Sequence, residues 1–175
     1  MATCRAAKAF YGHLERFPIL VLKGKIRYMD ARVLRSCIDD LLVRDKDDTM
    51  IVDLRELEAI DSTGLGLLAH VGRATLGRGQ RSVIICPVRD IVTCLRSVAF
   101  DTMFLILEEW PFADEANLSE LPLDNRELPA EVMARVMLEA HRDLAGLSEE
   151  NQRAFSGVIS ELEADLARVP RSHLH

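Results

Sequence analysis

The sequence predicts an α/β fold in which helices pack on a sheet, followed by a C-terminal pair of helices, and three observations carry this. Short aliphatic runs at residues 19–22, 50–54, 83–86 and 103–107 alternate with segments whose apolar residues recur at helical spacing. Crossover helices between neighbouring strands produce that pattern. Periodicity then lapses over residues 108–128, where Pro, Asp, Glu and Asn accumulate, and two further amphipathic stretches follow.

Taken in order, Ile19-Leu20-Val21-Leu22 precedes Gly24 and reads as a buried strand. A helix begins at Asp30, a suitable N-cap, because the pairs Val33/Leu34, Cys37/Ile38 and Leu41/Leu42 repeat every four residues. Polar residues 44–49 make a turn, and Met50-Ile51-Val52-Asp53-Leu54 is short enough to be a central strand. Ile60-Asp61-Ser62-Thr63-Gly64-Leu65-Gly66 leads into Leu67, Leu68, Val71 and Leu76 at helical spacing, so a strand passes into a helix through a Ser/Thr/Gly turn. Gly77-Arg78-Gly79 ends that helix. Val83-Ile84-Ile85-Cys86 is the next strand, Asp90 caps a short helix carrying Ile91, Val92, Leu95 and Val98, and residues 103–107 form the last strand.

Beyond the linker, Pro129 stands where a helix tolerates proline, and Val132, Met133, Val136, Met137, Ala140 and Leu144 define one face up to Gly146. Ser148 caps a second helix whose stripe is Phe155, Val158, Ile159, Leu162 and Leu166, ending before Pro170. Neither helix buries its stripe alone, so the hairpin is expected to dock on the first unit, on a twin or on a partner. The expected organisation is a domain at 1–107, a linker at 108–128 and a helical hairpin at 129–169, with a homodimer through the C-terminal helices as one outcome.

Composition narrows the function. The 175 residues are 49% hydrophobic and 29% charged, with a net charge of −6. These values suit a globular chain and give no electrostatic reason to bind nucleic acid or an anionic membrane. The average hides a split: residues 1–100 carry 16 basic and 12 acidic side chains, a net +4, whereas 101–175 carry 6 and 16, a net −10. No apolar stretch reaches the ~18 residues of a membrane span, and the first residues lack a secretory apolar core, so a cytoplasmic protein is expected. The four cysteines, Cys4, Cys37, Cys86 and Cys94, are too scattered for a zinc clamp or a disulfide framework and read as reduced, mostly buried thiols.

The segment Asp61-Ser62-Thr63-Gly64-Leu65-Gly66 is the most informative. A hydroxyl in the first turn of a helix meets unpaired N–H groups and the positive end of the helix dipole, so a phosphate added there is accommodated. Ser62 and Thr63 also suit plain helix capping. Together with Leu22-Lys23-Gly24, the helix begun near Asp30-Ala31 and the strand Ile51-Val52-Asp53-Leu54, this segment resembles the STAS domains, in particular the stand-alone bacterial anti-sigma factor antagonists, over roughly residues 10–107.

The resemblance implies a mixed sheet with helices packed on it, and a phosphorylation site at Ser62. It implies as partners a kinase-type anti-sigma factor of histidine-kinase-like ATPase fold, which phosphorylates the serine, and a serine phosphatase that reverses it. Asp61 would fix the turn, and Gly64 and Gly66 would let the partner approach. Contact is expected at Asp61, Thr63, Gly64, Leu65 and Gly66, with Arg27 and Tyr28 as neighbours from the preceding strand end. Unphosphorylated antagonist binds the anti-sigma factor and frees the sigma factor; phosphorylated antagonist lets go. One departure stands out: the family places an acidic residue shortly after the strand-ending glycine, and Arg27 occupies that place here. The kinase brings ATP and magnesium, so no cofactor of the chain's own is expected, nor any catalysis.

Other chemistry has weaker support. Gly64-Leu65-Gly66 matches a dinucleotide fingerprint only in part, because no third glycine follows at the required spacing. Asp61-Ser62-Thr63-Gly64 occurs once, whereas aspartic-protease chemistry needs two such carboxylates. His13, His70 and His141 show no ligand spacing, and His173 and His175 lie in the tail. His70 should pack or hydrogen-bond on its helix, and Trp110 should anchor the linker or hairpin. The alternative from another class is a non-phosphorylated scaffold or small-ligand sensor.

Overall fold

The computed structural model describes residues 6–46, 48–113, 115–123 and 128–168. A six-stranded mixed sheet forms its centre. In chain order the elements are β1 (Lys8–Leu14), β2 (Phe17–Ile26), α1 (Ala31–Arg44), β3 (Ile51–Ile60), α2 (Ser62–Leu76), β4 (Ser82–Ile85), α3 (Arg89–Ser97), β5 (Phe104–Leu107), β6 (Asn117–Leu121), α4 (Ala130–Ala145) and α5 (Glu149–Arg168). The strands lie in the order β5-β4-β3-β2-β1-β6. β2 through β5 run parallel, each joined to the next by a helix, and β1 is antiparallel to both β2 and β6.

The apolar run in β2 is continuous because both faces of the strand are covered. Leu20, Leu22 and Ile26 enter the main core with Val52 and Leu54 of β3 and the faces of α1, α2 and α3. Ile19 and Val21 point the other way and join Leu14, Ile51 and Ile85, against which Phe10, Phe17, Trp110 and Phe112 pack. Trp110 does anchor the chain after β5 to this second face. Arg55, gripping Asp53 through three side-chain bonds of 2.8–3.1 Å, lies 4.1 Å over its ring.

Several expectations are corrected. Residues 8–14 form an unforeseen strand, tied to β2 by the two-residue turn Glu15-Arg16 with Leu14 opposite Phe17. β2 does not stop at Gly24 but bulges there, with φ +72°, and runs on to Ile26. β3 extends six residues past Leu54 to Ile60. The span expected to be a linker, 108–128, contributes β6 to the sheet edge, so the fold does not end at residue 107. Asp90 lies in the first turn of α3 without capping it. Asp30 precedes α1, but its carboxylate accepts the backbone N–H of Arg27 at 2.9 Å and closes the short 3-10 turn Tyr28–Asp30 instead of capping the helix.

The C-terminal helices dock on the first unit. Leu138, Ala140, Leu144 and Ala145 are buried as α4 packs across α2, and Leu144 belongs to the main core. Asp143 faces three bases from α1 and α2: Arg73 at 2.8 Å, Arg35 at 3.5 Å and His70 at 3.6 Å. His70 also meets Asp39 of α1 at 2.8 Å. Ser148 caps α5 as expected, its hydroxyl accepting the Asn151 N–H. Buried Asn151 donates to the carbonyls of Val98 and Leu144, both at 3.0 Å, and so ties the hairpin to the end of α3. Pro170, His173, His175 and Cys4 lie outside the described residues.

Candidate functional site

The candidate site forms where β2 and β3 end side by side. Ile26 pairs with Ile60, and the Asp61 N–H donates to the Ile26 carbonyl at 3.3 Å. Asp61 is extended (φ −87°, ψ 175°), as an N-cap must be, and its Oδ1 accepts the Gly64 N–H at 2.9 Å. Its Oδ2 accepts the Tyr28 N–H at 2.7 Å. One carboxylate thus sets the start of α2 and fastens the 3-10 turn after β2 to it. Ser62 and Thr63 therefore have no capping role to play; Ser62 is the first helical residue.

Beside this cap lies a second acid. Asp30 is 3% exposed, and burial first, then the nearby Asp61 charge, raise its carboxyl above the usual range against the lowering effect of the Arg27 N–H and charge.

The Ser62 hydroxyl is half-buried and engaged. His141 of α4, 3% exposed, brings Nε2 to 2.9 Å from Oγ. Its Nδ1 is 2.7 Å from the Met137 carbonyl, and a carbonyl only accepts, so Nδ1 carries a hydrogen. In the neutral ring Nε2 then offers its lone pair, and Ser62 donates to it. Phe155 of α5 holds the ring edge-on, with centroids 5.8 Å apart.

A family model for the STAS domain matches residues 11–117, more than half of the chain, from β1 to the first residue of β6. The chain belongs to the STAS domain family. None of the curated proteins compared with it matches. The matched span of this STAS chain contains Asp61 and Ser62, while the hairpin that supplies His141 lies outside it.

Within the STAS domain the expected contact residues separate into two groups. Arg27 and Tyr28 are exposed, Asp61 and Ser62 are half-buried, and Met29 joins them at 40% exposure. Thr63, Gly64, Leu65 and Gly66 are buried in the chain's own packing. The expectation that the two glycines admit a partner is corrected: a β-carbon at Gly64 would stand 2.6 Å from Ile60 Cγ1, and one at Gly66 would overlap the Ala140 carbonyl. Both glycines serve close approach within the chain. The hydroxyl is likewise not laid open, since α4 covers one side of it.

His141 went unforeseen as a site residue, although a signal was present. It follows Met137 by four residues and precedes Leu144 by three, which puts an imidazole on the apolar stripe of α4. The described cysteines carry no chemistry here. Burial raises the thiols of Cys86 and Cys94 and pushes that of Cys37 up to about 11, so all three stay protonated at neutral pH. Among the described residues no cluster suited to a metal ion occurs, and no helix is long and apolar enough to cross a membrane.

Proposed function

We propose that this STAS protein is an anti-sigma factor antagonist switched by phosphorylation of Ser62. It binds a kinase-type anti-sigma factor when Ser62 is a free alcohol and releases it when the serine is phosphorylated, with a serine phosphatase resetting the cycle. The observation that supports this best is the placement of Ser62: first residue of α2, fixed by the Asp61 cap and bordered by the exposed Arg27, Tyr28 and Met29. The contact surface is drawn around these residues, and Thr63, Gly64, Leu65 and Gly66 act from behind by shaping it.

Physics permits such a switch at modest energy. A phosphate adds about −1.5 to −2 charges at neutral pH, and a complementary surface built for a neutral alcohol must desolvate or repel it. A penalty of about 3 kcal/mol lowers affinity more than 100-fold.

The test is incubation with kinase-type anti-sigma factors and magnesium ATP, followed by intact mass. One added phosphate that maps to Ser62 and vanishes in Ser62→Ala supports the reading, as does loss of capture by Ser62→Asp relative to wild type. A phosphate elsewhere, or equal capture in both states, defeats it. The small-ligand reading draws on a cleft of about 460 Å³ on the second face of the sheet, walled by Asp53, Arg55, Trp110, Phe112 and Leu118. Its Asp53 and Arg55 already satisfy one another, so the charge it presents is that of the exposed Glu115 at its wall.

A further inference from the structure

The Ser62 hydroxyl, the His141 ring and the Met137 carbonyl lie in series at 2.9 and 2.7 Å. A nucleophile in hydrogen-bond reach of a base, which is itself oriented by a third group, is the arrangement that activates serine in covalent catalysis. Three features go beyond what a bond holding two helices together requires. The ring is fixed by two partners besides Ser62, Met137 and Phe155, and the carbonyl selects the tautomer with its lone pair toward the alcohol. The base is 3% exposed, while Ser62 is only half-buried and so retains solvent contact. An electrophile from solvent thus meets the oxygen with its proton already directed at a base. The two groups also come from separate parts of the chain, 79 residues apart, so the pair exists only while the hairpin is docked.

We propose that His141 is the general base of Ser62, making this serine a nucleophile toward phosphoryl electrophiles, and that the docked hairpin is therefore part of the modification site. Its biological donor, an ATP held by a partner kinase, rests on the reading above; the reactivity itself does not. In the step, Oγ forms a bond to the γ-phosphorus and the Oγ–H proton passes to Nε2. The bond from the γ-phosphorus to the bridging oxygen breaks, and the nucleoside diphosphate leaves with the electron pair. The imidazolium then returns its proton to solvent or pairs with the new phosphate.

Diisopropyl fluorophosphate tests this on the full chain without any kinase: Oγ bonds to phosphorus, fluoride departs, and the proton again goes to His141. Wild type should take one label at Ser62, and Ser62→Ala none. His141→Gln should label slower by on the order of 100-fold, the usual contribution of a general base. Imidazole in the buffer should restore labelling to His141→Ala, a recovery that a merely structural histidine would not show. Thermal melting of His141→Gln establishes that it is folded. Labelling of folded His141→Gln at the wild-type rate overturns the proposal, and so does wild type that takes no label at Ser62. Either result leaves the kinase-dependent switch standing, and failure of kinase phosphorylation leaves the labelling result standing.

Discussion

Gly66 of α2 and Ala140 of α4 meet backbone against backbone, so closely that a β-carbon on residue 66 would overlap the Ala140 carbonyl. Two opposing effects act on Gly66→Ala. Alanine favours a helix over glycine by up to about 1 kcal/mol, but here the obstacle is main chain, which does not swing aside as a flexible side chain would. Overlap wins. Gly66→Ala should destabilise the protein by about 1–3 kcal/mol, the usual range for overpacking, and should part Ser62 from His141. Urea denaturation measures the first effect, and slower fluorophosphate labelling of Ser62 the second.

The same packing makes the hairpin part of the cooperative unit. Leu144 is fully buried in the core that the sheet and its helices share, and Asn151 bridges to α3. Leu144→Ala should therefore lower stability by about 2–5 kcal/mol while leaving a single unfolding transition common to near-UV and far-UV signals. A first transition that melts only α4 and α5 would show that the hairpin folds independently. Deleting residues 128–175, which from the sequence alone is expected to leave the first domain folded with an altered oligomeric state or partner choice, should instead expose the α2 face and promote aggregation.

What was legible in the sequence follows how local each signal is. The helices announce themselves through their own apolar stripes, and the strand-to-helix turn through its Ser, Thr and Gly residues, although the cap is Asp61 and not Ser62 or Thr63. β6 is invisible because it is an edge strand of mostly exposed residues, Asn-Leu-Ser-Glu-Leu, placed by pairing with β1. β1 hides for a related reason: Gly12 and His13 interrupt its alternation, and its register comes from β2. The site was legible on its local side, at Asp61 and Ser62. Its other half, His141, comes from long-range docking that no window of sequence contains.

Asp30 supplies a pH-dependent signature. Its carboxyl is raised chiefly by burial, so the folded chain binds that proton more tightly than the unfolded one. Stability from this group is therefore greatest below the ordinary carboxylate range and declines as pH rises through the raised folded value. Asp30→Asn keeps an oxygen for the Arg27 N–H and removes the buried charge. The variant should be more stable than wild type at neutral pH, with the gap narrowing toward about pH 4. Paired denaturation curves at the two pH values check this, and a gap that widens on acidification would contradict it.

Substitutions at the neighbouring residues Asp61 and Ser62 should separate capping from the histidine bond. Asp61→Ala orphans the N–H groups of Gly64 and Tyr28, loses the N-cap, and frees the 3-10 turn from α2. A cost of about 1–2 kcal/mol is expected, in the upper range for caps. Ser62→Ala leaves that cap intact yet is not a silent control, because it strands the buried Nε2 of His141 without its donor. An unsatisfied buried acceptor costs about 1–3 kcal/mol. A double-mutant cycle with Ser62→Ala and His141→Phe isolates the bond: once phenylalanine replaces the imidazole, removing the hydroxyl should cost markedly less, by a coupling of about 0.5–3 kcal/mol. Additive effects would mean that the alcohol and the ring are neighbours without being partners, and that the hairpin is held by its apolar packing, Asp143 and Asn151 without help from this bond.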